Sequence, residues 1–219
     1  MNNNNQTKNI KSLTYSELDK ISDLVLNYPW ENKDAYVGFI SNMYYFLSQA
    51  CRLLTAAASR CDLTYDQFHH RFVEHAHEEK NHEKLVTHDL KALGADLNPV
   101  LPSMPPIWQT QFYLIQNVSP LSLLGCVAYL ENLSLVKEVG PLVYKRCLEV
   151  YGKKATSYLR VHVEEDGDHI DKLFTTLESL PEHEIKNVRE SLLTTSTLYK
   201  NFFSELSDVY VGKKTGKAA

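Results

Sequence analysis

Cysteine, glycine and proline are all scarce in this chain, and it has no long apolar run and no concentration of positive charge. The four cysteines, Cys51, Cys61, Cys126 and Cys147, form no Cys-x-x-Cys pair. In 219 residues that pattern excludes a dense disulfide framework, fits reduced thiols and leads us to expect a cytoplasmic protein. Met1–Lys8 is polar and Asn-rich with no apolar stretch behind it, unlike a secretory signal. The most apolar window, Leu121–Leu130, is about half the roughly 20 residues that a membrane span requires. Glu131 ends it, so a buried core helix is expected and a membrane partner is not. A net charge of −4 without a basic stripe argues against a nucleic-acid partner. Lys213, Lys214 and Lys217 lie among Gly and Ala and read as a frayed end.

Alternating strand patterns, hairpin dipeptides and internal repeats are absent as well, and helical periodicity fills the chain instead. Thr14 with Glu17 forms a capping-box pattern that opens a helix to about Asn27. A longer helix is expected from about Asn32 to Arg60, with Phe39, Met43, Phe46, Leu47, Ala50, Leu53, Leu54 and Ala57 at helical spacing. Thr64 with Gln67 opens another, reaching Leu93 and stopping at Gly94. Four prolines between 95 and 107 make an extended connection. Helices follow over about Trp108–Asn117, Pro120–Val139, Leu142–Tyr151 and Lys154–Ser179, and from Pro181 to Tyr210. The fold class is therefore all-α, a bundle over residues 13–211 with tails at 1–12 and 212–219. The aromatic face Tyr36, Phe39, Met43, Tyr44 and Phe46 reads as core, with a homodimer seam as a lesser expectation.

Three segments in the middle of these helices carry chemistry. In Glu74-His75-Ala76-His77-Glu78-Glu79-Lys80-Asn81-His82, Glu79 and His82 stand at i and i+3 and project from one face. Helix bundles use this Glu-x-x-His device to hold iron or manganese, and carboxylate with imidazole suits those metals. His162, Asp166 and His169, at i, i+4 and i+7, form a second stripe. Glu131 stands alone in an apolar run, where an ionised carboxylate is costly unless paired or metal-bound. Together these supply three carboxylates and three histidines, enough for two metal ions with open positions. Six of the nine histidines fall between His69 and His88, and we read His69, His70, His77 and His88 as solvated or structural. Glu78, Lys80, Glu83 and Lys84 read as a charged surface.

At Glu78–His82, Ala128–Glu131 and His162–His169 the sequence resembles the haem-oxygenase-like diiron oxidase and oxygenase family, over about residues 35–205. The resemblance implies a haem-oxygenase-like bundle of about seven helices that carries two metals and no haem. Carried over position by position, it implies Glu79, His82, Glu131, His162, Asp166 and His169 as ligands of two iron ions, or of iron and manganese. Glu78 competes with Glu79 and Glu165 with Asp166; His75 lies one heptad before His82, where a further carboxylate would have been useful. Gly167 lowers helix stability by about 1 kcal/mol relative to Ala, consistent with the family's pliable last metal-binding helix. The implied activity is reductive activation of O2, as co-substrate, to oxidise a small fatty acid, amino acid or amine, with an external electron donor. Haem oxygenase itself is excluded, because residues 32–60 contain no histidine to serve as a proximal ligand. The rival on the same fold is a metal-free thiaminase-like or cofactor-synthase-like enzyme, for which Cys126 is the candidate nucleophile. A non-enzymatic metal-binding protein is the other alternative.

Overall fold

A computed structural model describes the backbone of residues 3–134 and 136–211, and the side chains of residues 10–134, 136–164, 170 and 172–211. Among the described residues nine α-helices and five short 3-10 turns make up the fold, with no strand. They are α1 (Asn3–Leu26), α2 (Lys33–Arg60), α3 (Asp66–Glu78), α4 (His82–Leu93), α5 (Pro105–Asn117), α6 (Leu123–Asn132), α7 (Val139–Tyr151), α8 (Ser157–Glu178) and α9 (Ile185–Val211). The all-α bundle is as expected, and none of these helices is long and apolar enough to cross a membrane.

Local chemistry moves several of the expected boundaries. Thr14 does not open α1: it is fully buried within the helix and its hydroxyl donates to the Ile10 carbonyl at 2.9 Å. The helix begins at Asn3, so most of the expected N-terminal tail is helical, and Ile10 is buried in the core. The expected C-terminal tail, 212–219, lies outside the described residues. Asp62, not Thr64, caps the turn before α3, its carboxylate accepting from the Thr64 amide at 2.8 Å. At the start of α2 the Asn32 side chain accepts from the amides of Asp34 and Ala35.

Two expected helices are broken. The single helix from Thr64 to Leu93 is interrupted after Glu78, where Asn81 adopts a left-handed φ of 73°. Asparagine is among the few non-glycine residues that enter this region readily. The expected helix from Pro120 to Val139 ends at Asn132, and farther along the connection Lys137 and Glu138 both have positive φ, 48° and 57°. Gly140 closes that turn, donating its amide to the Ser134 carbonyl at 2.7 Å, and a Cβ there would come within 2.8 Å of Ser134.

The core has two halves. One joins α1, the first half of α2, α4 and the end of α9 around Trp30, Tyr36, Phe39 and Phe203. The other joins the second half of α2, α3, α6 and the beginning of α9 around Leu53, Leu54, Phe68 and Leu124. The aromatic face of α2 is core as expected: Tyr36, Phe39 and Met43 are buried, and Tyr44 and Phe46 pack against them. At Gly125, α6 approaches α9 so closely that an added Cβ would stand 2.1 Å from the Val188 carbonyl oxygen.

Candidate metal centre

Between the two core halves lies a cavity of about 180 Å³. Trp30, Phe39, Met43, Leu47, Leu130 and Phe203 contribute to its apolar wall, while His75, Glu79, Glu131 and His162 bring charge and hydrogen-bonding capacity to it. Among the described residues no lysine or arginine lines it. Arg71 pairs with Glu74 and Glu78, and Arg160 with Glu164 on the outside of α8.

The break between α3 and α4 shapes the acidic part of this site. Glu79 follows the last residue of α3 and His82 begins α4, so the two are not successive turns of one helix as the sequence pattern implied. Their side chains nevertheless meet: Glu79 Oε2 lies 3.1 Å from His82 Nδ1. The other oxygen of Glu79 faces His75 Nε2 at 3.7 Å, and the same nitrogen lies 3.2 Å from Glu131 Oε1. His75, Glu79 and Glu131 each present one donor atom within 4.8 Å of the others, and His75 and Glu79 are only 5% and 6% exposed.

Two of the six sequence-derived residues, Glu79 and Glu131, thus fall in this cluster, and His82 adjoins it through Glu79. His162 on α8 faces His82, with ring centroids 5.3 Å apart and planes at 81°, and also packs edge-on against Tyr158. Asp166, His169 and the competing Glu165 lie on the continuous helix α8, and their side chains fall outside the described residues. Glu78 is engaged elsewhere, 3.1 Å from Arg71 and 2.6 Å from Lys172. His70, His77 and His88 are exposed, and His69 contacts the Ala58 carbonyl.

His75 is the residue that sequence reasoning undervalued. Its spacing, four residues before Glu79 and seven before His82, is that of one face of an unbroken helix, a sequence signal diluted by the other histidines nearby.

Charge in the cluster is mutually supported. Burial alone would drive the His75 imidazole toward its neutral form, but hydrogen bonds to Glu131 and Glu79 outweigh it and raise its pKa to about 9. Burial would likewise favour protonated Glu79, yet its contacts with His75 and His82 and the nearby His162 hold its carboxyl well below the usual range. The donor set fits iron: carboxylate oxygens and imidazole nitrogens, no thiolate among the three, in a site where an unpaired carboxylate would be costly.

Comparison with known proteins agrees with this architecture. A domain with a haem oxygenase-like fold from Shewanella denitrificans superposes with a TM-score of 0.79 at 16% identity, covering 93% of this chain and 94% of that one. A TenA homologue from Pyrococcus furiosus gives 0.67 at 14% identity, over 90% of this chain and 99% of the other. A second TenA homologue, from P. horikoshii, gives 0.68 at 13% identity, over 90% and 97%. At these identities the likeness establishes the fold, which is haem oxygenase-like. No curated protein sequence matches significantly. Residues 37–200, however, match a family model described as iron-containing redox enzyme, and since that span is most of the chain, this protein belongs to the family of iron-containing redox enzymes.

Proposed function

We propose that this protein is a non-haem diiron, or iron–manganese, oxidase or oxygenase that uses O2 to oxidise a small, mainly apolar organic substrate. The observation that carries the reading is the convergence of His75, Glu79 and Glu131 on one point of an otherwise apolar cavity. In this reading Glu79, Glu131 and the imidazoles of His82 or His75 hold one metal, and His162, Asp166 and His169 hold the other. Bound ferrous ions supply Lewis acidity and electrons for the reduction of O2, with an external donor restoring them.

The chain's own residues supply the surroundings. Before metal loading, an imidazolium at His75 offsets one of the two facing negative charges, so the pre-formed site does not bury two bare carboxylates. The apolar wall excludes water and gathers a hydrophobic substrate against the ligand cluster. The Trp30 indole N–H donates to the Val25 carbonyl at 2.8 Å, so this wall residue presents its apolar ring to the cavity without a free donor.

A metal-free, thiol-based reading on the same fold rests on Cys126, which lines the cavity and is 2% exposed. Burial pushes its thiol up to about 12, the nearby Glu131 charge adds to this, and a Thr195 contact opposes it only in part. A thiol so far from ionisation is a poor nucleophile near neutral pH.

The discriminating experiment is anaerobic ferrous titration of the apoprotein, followed by rapid mixing with O2 and stopped-flow absorption. About two irons per chain and O2 consumption are expected, with both diminished in His162→Ala and Glu131→Ala. Absence of stoichiometric iron uptake together with absence of O2 consumption would overturn the proposal.

A further inference from the structure

The first backbone amides of α8 lack a local cap. The residue before the helix, Thr156, makes no capping bond to it, and its hydroxyl turns back to the Gly152 carbonyl at 3.1 Å. Initial helix amides left without acceptors in a buried setting are destabilising. The acceptor comes instead from another helix. Asp89 of α4 takes the Ser157 amide on Oδ1 at 3.0 Å and the Tyr158 amide on Oδ2 at 2.9 Å, and Oδ1 also accepts the Ser157 hydroxyl.

Asp89 has no exposure at all, and its surroundings include the fully buried Thr156 and Tyr36, whose hydroxyl donates to the Ala155 carbonyl at 2.9 Å. His88 Nδ1, 3.4 Å away on an exposed side chain, is the imidazole beside it. A carboxylate shut away from water in this manner needs strong compensation, and the charge-assisted bonds with the positive end of α8 provide it.

We propose that Asp89 is a positioning residue that fixes the register of α8 against α4 and so sets His162 against His82; this rests on the metal-centre reading above. The geometry closes a loop. His82 lies seven residues before Asp89, two turns along the same face of α4. On α8, Tyr158 gives its amide to Asp89 while its ring packs on His162 at 4.7 Å. His162 then returns to His82 at 5.3 Å. The two metal-binding segments that lie farthest apart in sequence are thereby tied together by one buried carboxylate. Turning or sliding α8 would break the bonds to Asp89 and carry His162 away from His82.

The test uses the full chain and ferrous ion, comparing Asp89→Asn, Asp89→Ala and Ser157→Ala with Asn32→Ala. The last removes a helix cap of the same kind from α2, which carries no proposed ligand. Both kinds of cap loss should lower the melting temperature of the metal-free protein. Only the variants of the Asp89–Ser157 tie should also weaken iron binding, the Asp89 substitutions by about tenfold or more, and shrink the rise in Tm on iron loading. Asp89→Asn keeps an acceptor oxygen and should fold, and Ser157→Ala, which removes one donor, should show a smaller shift in the same direction. Wild-type iron affinity in folded Asp89→Asn, or in Ser157→Ala should neither Asp89 variant fold, overturns the positioning role alone. Failure of the wild-type chain to bind iron overturns the metal centre itself, and the positioning role with it.

Discussion

His75 Nε2 lies 3.2 Å from Glu131 Oε1, so that an imidazole from α3 meets the carboxylate that ends the apolar stretch of α6. The contact makes His75 a candidate ligand on an equal footing with His82. If it ligates, His75→Ala should cut ferrous uptake from about two to about one per chain, while His77→Ala, at an exposed position on the same helix, should leave uptake intact. Anaerobic titration with a colorimetric iron assay gives the answer. Full uptake by His75→Ala would confine His75 to holding a proton between Glu79 and Glu131.

That proton predicts a pH dependence for the metal-free protein. The His75 pKa is raised in the folded chain from 6.5 to about 9, because the hydrogen bonds to Glu131 and Glu79 overcome the opposing effect of burial. Its stabilising contribution is therefore complete below pH 6.5 and disappears as pH rises through about 9. Glu79 behaves oppositely: with its folded pKa lowered below the ordinary 4.5, its contribution is present above that value and is lost on acidification. Urea denaturation of metal-free protein should show stability declining between pH 6.5 and 9, and His75→Ala should flatten that limb. An unchanged alkaline limb in the variant would show that another group titrates there. Ferrous affinity should rise over the same interval, since a ligating imidazole must first release its proton.

The helical bundle was legible in the sequence because 3.6-residue periodicity is a property of each segment by itself. Glu79 and Glu131 were legible for different reasons, one from its spacing to His82 and the other from its isolation among apolar residues. The break between α3 and α4 was not, because nothing in Glu79-Lys80-Asn81 forbids a helix. Its consequence is tertiary: across the interruption the two oxygens of Glu79 face His75 and His82 at once. Asp89 was invisible for a related reason. Its partners, Ser157 and Tyr158, are nearly seventy residues away, and an aspartate in a charged helix reads as solvated until the fold is known.

The backbone at that break predicts an asymmetric response at Asn81, whose φ of 73° is open to glycine but strained for most other residues. Asn81→Gly should leave chemical stability nearly unchanged. Asn81→Ala should lose about 1 kcal/mol, and Asn81→Val more, from the cost of a Cβ in the left-handed region. Equal stability of the alanine and glycine variants in urea melts would mean that α3 and α4 can rejoin as a continuous helix. In that event Glu79 and His82 would be re-spaced, and iron affinity in Asn81→Ala should fall even though the fold survives.

The composition of the cavity wall predicts which molecules enter it. Its carboxylates and imidazoles, among the described residues, are those of His75, Glu79, Glu131 and His162, and no lysine or arginine lines the remainder. A ligand with one polar end can direct that end to His75, Glu79, Glu131 and His162 and leave its apolar part against Trp30, Phe39, Met43 and Leu47. A second charge at the far end would be buried without a partner, at a cost of several kcal/mol. Trp30 makes the comparison measurable without iron. The chain has two tryptophans, and Trp108→Phe leaves Trp30, on the cavity wall, as the reporter. Alkyl or arylalkyl compounds with a single carboxylate or amine should quench Trp30 fluorescence saturably, and α,ω-dicarboxylates of equal length should bind at least about tenfold more weakly. Met43→Lys should reverse the preference by placing a cation on the apolar wall. Equal binding of mono- and dicarboxylates to the single-tryptophan protein would contradict an apolar far end, whatever the outcome of the iron titration.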